Sequence, residues 1–102
     1  MSVRRERIDV AIDSDRGVFM ISVAAELAHM HPQTLRMYEA RGLIQPKRSP
    51  KNTRLYSQRD VALLQRIQQL TAEGLNLAGV ERVLRLERKL AELEGKGADA
   101  AR

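Results

Sequence analysis

Residues 21–42 read ISVAAELAHMHPQTLRMYEARG, and the fold turns on how this stretch is punctuated. Ser22 is a good N-cap, and Val23, Ala24, Leu27 and Ala28 follow at helical spacing, which predicts a first helix over residues 23–29. Pro32 suits the first position of a new helix, because its missing N–H would be unpaired there in any case. Leu35, Tyr38 and Glu39 carry the pattern on to Gly42, which adopts the left-handed conformation that stops a helix without steric cost. Two short helices across a tight turn make a helix-turn-helix candidate, with Pro32 to Arg41 as its second element.

On the C-terminal side, Leu43 and Ile44 read as a strand that Pro46 confines to an edge, and residues 47–53 read as a polar, basic turn. Arg54, Leu55 and Tyr56 supply a second short strand, so a basic hairpin, a wing, follows the helix-turn-helix. Alternation predicts Arg54 facing outward with Lys47, Leu55 turned inward, and Tyr56 in the core. Ser57 caps a third helix with apolar positions at Val61, Leu63, Leu64, Ile67 and Leu70, ending at Gly74; Asn76 caps a fourth. In that fourth helix Val83, Leu86, Leu90 and Leu93 are spaced as a coiled-coil seam. So late in a small chain they have little core left to cover, which favours pairing with a second copy. The expected organisation is a flexible tail over 1–17, a DNA-binding domain over 18–75, a dimerisation helix over 76–94 and a disordered tail over 95–102. The fold class is mainly α with a small β-hairpin wing.

Composition narrows the function. A chain of 102 residues with three aromatics supports one domain with a small core of Leu, Val, Ile, Ala and Met, too small for a large enzyme cleft. The absence of Cys removes disulfides, thiolate metal sites and a cysteine nucleophile together. His29 and His31, with no clustered carboxylate, read as turn residues rather than metal ligands. No nucleophile with a neighbouring base and no Gly-rich phosphate loop is visible, so neither an enzyme nor a cofactor is expected. Arg4, Arg5, Glu6 and Arg7 charge the N-terminus where a signal peptide or membrane span needs an apolar run, which points to a cytoplasmic address.

The net charge of +5 falls entirely within residues 36–54, where Arg36, Arg41, Lys47, Arg48, Lys51 and Arg54 stand against Glu39 alone. A localised cation excess is the electrostatic footprint of a polyanion partner, and here it runs from the second helix through the wing. Gln33, Thr34 and Arg36 lie near the start of that helix, the portion that enters a major groove in helix-turn-helix docking. Arg36 is assigned to phosphate, with a bidentate guanine contact as the alternative, and His31 and Gln33 to base reading. Lys47, Arg48, Lys51 and Arg54 would clamp flanking backbone or minor groove. Tyr38 either packs or sends its hydroxyl to a phosphate.

The linked motifs Ile21-Ser22-Val23-Ala24-Ala25-Glu26-Leu27-Ala28, Thr34-Leu35-Arg36-Met37-Tyr38-Glu39, Gly42-Leu43-Ile44, Arg54-Leu55-Tyr56-Ser57 and Gly74-Leu75-Asn76-Leu77 together resemble the MerR family of bacterial transcription regulators, over residues 19–93. Asn76-Leu77-Ala78-Gly79-Val80, the wing and residues 21–35 look most like its heat-shock repressors. A homodimer paired through the leucine seam requires an inverted-repeat operator in double-stranded DNA, and the resemblance implies a phosphate contact for Tyr38 and the chaperone DnaK as co-repressor. It also marks two departures: Met37 stands where relatives often carry a second aromatic, and the dimer helix is short. A family activator that distorts promoter DNA, or an architectural DNA-bending protein, would share the same DNA-binding half.

Overall fold

A computed structural model describes the backbone of residues 14–100, with side chains to residue 95. The chain divides into two compact units, Met1–Gln68 and Gln69–Arg102. The expected tail over 1–17 therefore lies mostly outside the described residues, as do residues 101 and 102.

In the first unit, helix α1 spans Ile21–Ala28 and helix α2 spans Pro32–Ala40. Ser22 is not the N-cap of α1; Met20 holds that position in an extended conformation, with no side-chain cap. The cause lies upstream: the amides of Val18 and Phe19 donate to Tyr56 O at 3.0 and 2.9 Å, and Tyr56 N donates back to Phe19 O at 2.7 Å. A chain held extended against Tyr56 leaves that strand at Met20, so the helix starts there. Ala24, Ala25 and Ala28 form its buried face, small enough for close approach by neighbouring elements. His29 ends α1 in the left-handed conformation, φ 57° and ψ 46°, while Met30 N donates to Ala25 O. Pro32 opens α2 as expected, Leu35 and Tyr38 are buried, and the helix closes at Arg41 with Gly42 at φ 79°.

The wing is smaller and later than the sequence pattern suggested. Strands β1, Lys47–Arg48, and β2, Arg54–Leu55, pair antiparallel, with Lys47 opposite Leu55 and Arg48 opposite Arg54. Leu43 and Ile44 are not strand: Ile44 is buried, and Pro46, with no N–H to donate, precedes the ladder instead of lying within it. The tip is built by Ser49, whose Oγ accepts from the amides of Lys51 and Thr53 at 3.2 and 3.1 Å, and by Asn52 at φ 68°. Tyr56 is fully buried, as expected.

Helix α3, Gln58–Ala72, opens with a reciprocal capping box in which Ser57 Oγ accepts from Asp60 N at 3.0 Å and Asp60 Oδ2 from Ser57 N at 2.9 Å. Val61, Leu64 and Ile67 bury one face, and Gln65 Nε2 donates to Leu27 O. In the second unit, Leu70 is buried, Gly74 sits at φ 101°, and Asn76 Oδ1 accepts from Gly79 N at 2.8 Å at the start of helix α4, Leu77–Ala100. Helix α4 runs five residues past Gly95, where a disordered tail was expected.

Candidate nucleic-acid interface

The first turn of α2 is preorganised by its own side chains. His31 is the N-cap, and its Nδ1 accepts from Gln33 N at 3.0 Å, a role usually filled by Ser, Thr, Asp or Asn. That hydrogen bond leaves Nε2 as the ring atom available to a partner. Gln33 Oε1 accepts from Arg36 Nη1 at 2.8 Å, so an amide and a guanidinium with two different base-edge preferences stand linked on the exposed face. His31, Gln33 and Arg36 are exposed, while Thr34 is half-buried. The sequence-predicted reading face is thereby brought together as one surface.

Tyr38 belongs to the core, with 6% of its surface exposed, and burial pushes its phenol above the usual tyrosine value. Packing, one of its two sequence readings, is what its position favours; any phosphate contact is left to the hydroxyl edge. Arg41 is exposed at the C-cap of the same helix.

The wing corrects one expectation and adds a residue. Arg54 does not face outward with Lys47. Residues opposite one another on antiparallel strands share a face, and the observed register puts Arg54 with Arg48. Both reach Glu39 of α2: Arg54 Nε lies 2.5 Å from Oε1 and Arg48 Nη2 lies 2.9 Å from Oε2. Arg48 Nη1 also donates to Asn52 O at the wing tip, at 3.3 Å. Glu39 answers with a carboxyl held below its ordinary value: the hydrogen bond from Arg54 is the largest cause, burial opposes it, and the hydrogen bond from Arg48 lowers it further. Lys47 and Lys51 are exposed, and Arg48 is exposed apart from its pairing.

Beneath this cluster Tyr56 Oη is buried with no hydrogen-bond partner among the described residues. Its phenol is pushed up first by burial and then by the negative charge of Glu39. The sequence pattern gives Glu39 a helix position and no role at the site. Its signal was in plain view, as the one acid in the cation-rich window.

On α4, Val83 is half-buried, whereas Leu86, Leu90 and Leu93 are 61, 57 and 55% exposed. Among the described residues no group of three His, Cys, Asp or Glu side chains could hold a metal ion, and no helix is long and apolar enough to cross a membrane.

A helix-turn-helix whose second helix presents linked polar side chains, followed by a cationic hairpin, defines a winged helix-turn-helix of the DNA-binding class. The chain belongs to the MerR HTH family of regulatory proteins, whose family model matches residues 19–87. It is thus a DNA-binding regulator by family, not an enzyme. It is 46% identical over 98 residues to a Streptomyces coelicolor protein named heat shock protein HspR, covering 95% of this chain and 65% of that protein. The chain therefore spans just under two thirds of that relative's length.

Two solved structures share the fold. PbrR691, a transcription regulator from Ralstonia metallidurans solved in complex with lead(II), matches at 28% identity and a TM-score of 0.66, over 76% of this chain and 65% of its own. HiNmlR, a MerR family regulator lacking the sensor domain and bound to promoter DNA, matches at 24% identity and a TM-score of 0.63, over 78% and 67%.

Proposed function

We propose that this chain is a repressor of the heat-shock type, acting in the cytoplasm as a homodimer on an inverted-repeat operator. The observation that carries the reading is the likeness to HspR along nearly the whole chain. The geometry supports it in kind. Helix α2 offers His31, Gln33 and Arg36 to a major groove, with Thr34 at their edge. Lys47, Arg48 and Lys51 offer flanking phosphate contacts, and Arg41 adds charge where α2 ends.

The exposed stripe of Leu86, Leu90 and Leu93, extended by Val83, supports two-fold pairing. A symmetric dimer sets its two recognition helices about 34–36 Å apart, or a multiple of that, which requires an inverted repeat. With roughly 6–10 phosphate contacts per dimer, affinity falls about 10³- to 10⁵-fold between 50 and 200 mM salt. In this reading DnaK is the co-repressor, so that promoter occupancy follows the supply of free chaperone.

Selection of bound sequences from a random DNA pool tests the function. Enrichment of an inverted repeat supports it, and an asymmetric AT-rich preference points instead to an architectural DNA-bending protein. Transcription from the selected site, with and without the protein, separates a repressor from an activator. Adding DnaK to the operator complex should tighten binding; no effect at saturating DnaK removes the co-repressor.

A further inference from the structure

One carboxylate joins the two elements that would touch DNA. Glu39 lies one turn beyond Arg36 on α2, and each of its oxygens takes an arginine from a different wing strand, Arg54 from β2 on Oε1 and Arg48 from β1 on Oε2. Because Arg48 and Arg54 are directly opposite in the ladder, the hairpin is held at two points across its width rather than at one. A single pair would fix a distance and leave the wing free to roll about it. Two pairs to one planar carboxylate fix the roll as well. Arg48 extends the connection to the tip through Asn52 O, and Ser49 Oγ stiffens the tip itself through the amides of Lys51 and Thr53.

We propose that Glu39 is a positioning residue for DNA recognition: it locks the wing against the recognition helix through Arg54 and Arg48, and Arg54 serves as a strut of that lock rather than as a phosphate ligand. This rests on the reading of the protein as a DNA-binding regulator. The two pairs differ in character. Arg54 is the more enclosed, with 30% of its side chain exposed, and it donates from Nε, the least adaptable guanidinium nitrogen. Arg48 is 38% exposed and holds Glu39 through a terminal nitrogen, so it is the arm placed to share itself with a phosphate. A bound duplex thus meets a wing whose angle to the recognition helix is already fixed. Selectivity comes from alignment of wing and helix, while raw attraction comes from the exposed Lys47 and Lys51.

Arg54→Gln and Glu39→Gln separate the roles, measured in the full chain by fluorescence anisotropy on the selected operator and on an unrelated duplex across a salt series. As a strut, Arg54→Gln weakens operator binding about tenfold more than unrelated-duplex binding and leaves the salt slope close to that of wild type. Glu39→Gln loses the same selectivity while binding to unrelated DNA rises and the slope steepens, by about 0.9 for each arginine released to a phosphate.

Arg54→Gln lowering both duplexes alike, with a slope shallower by about 0.9 per protomer, makes Arg54 a phosphate ligand and overturns the proposal. Circular dichroism melts guard against misfolding, and Glu39→Asp, a shorter carboxylate, should recover part of the selectivity. Wild-type protein with no salt-dependent DNA binding overturns the regulator reading and the lock with it. Normal wild-type binding that Glu39→Gln leaves unchanged overturns the lock alone.

Discussion

Replacing Leu90 by Ala tests the pairing of two chains at a position where the protomer itself has little to lose. Leu90 is 57% exposed, so only the smaller part of its apolar surface is already covered. Full burial of a leucine contributes about 1.5–3 kcal/mol, and the exposed fraction of Leu90 therefore holds about 1–1.5 kcal/mol still to be gained. Two-fold symmetry counts the residue twice, so Leu90→Ala removes about 2–3 kcal/mol from the dimer, or about 30- to 150-fold in its dissociation constant. Alanine is the best helix former, which keeps α4 intact as the contact is lost.

The same arithmetic over Leu86, Leu90 and Leu93 in both copies yields about 6–9 kcal/mol, against about 4–15 kcal/mol for the freedom lost on association. The free dimer should accordingly be weak and tightened by DNA. Sedimentation equilibrium over a concentration series gives the constant directly. An unchanged constant at equal helicity refutes the pairing of this stripe. A fall in the unfolding midpoint of the dilute monomer would place Leu90 in the protomer core instead.

Three further outcomes follow from local chemistry. Glu39 is held below its ordinary value of 4.5, so its ion pairs contribute fully above that value, and the contribution is lost as pH falls through the lowered one. Wing amides followed by NMR should therefore shift in a separate acid transition, and their titration together with the exposed carboxylates would contradict this. Tyr56→Phe removes a buried hydroxyl with no partner among the described residues and should stabilise by about 1 kcal/mol, visible as a rise of about 4–8 °C in Tm; a loss of stability would reveal a bond to that oxygen. His29→Gly relieves a left-handed backbone at φ 57° and should raise the denaturant midpoint by the equivalent of up to about 1 kcal/mol, whereas His29→Val should lower it.

What the sequence made legible was whatever is decided within a few residues. Pro32, Gly42, Gly74, Asn76 and the Ser57–Asp60 pair act through their own dihedral angles or hydrogen bonds to the nearest turn, and each does what its residue type predicts. Ser22 failed as a cap because a distant residue, Tyr56, holds the preceding chain extended. The strand expected at Leu43 and Ile44 failed for a related reason, since Ile44 serves the core and Pro46 displaces the ladder to Lys47.

Register explains the remaining gap, at the place that matters most for function. In an antiparallel pair a slip of one residue exchanges the two faces. Putting Arg54 on the side of Lys47 assumed the slipped register; in the observed one Arg54 stands opposite Arg48, and both face α2. Two guanidiniums brought to one side of a hairpin repel each other unless an anion lies between them, and only Glu39 in the cation-rich window can supply it. The register and the acid therefore account for each other. A charge count that treats residues 36–54 as a uniform cationic band misses that two of its six cations are tied to its one anion. Lys47 and Lys51, with Arg36 on α2, are left to supply most of the attraction to a polyanion.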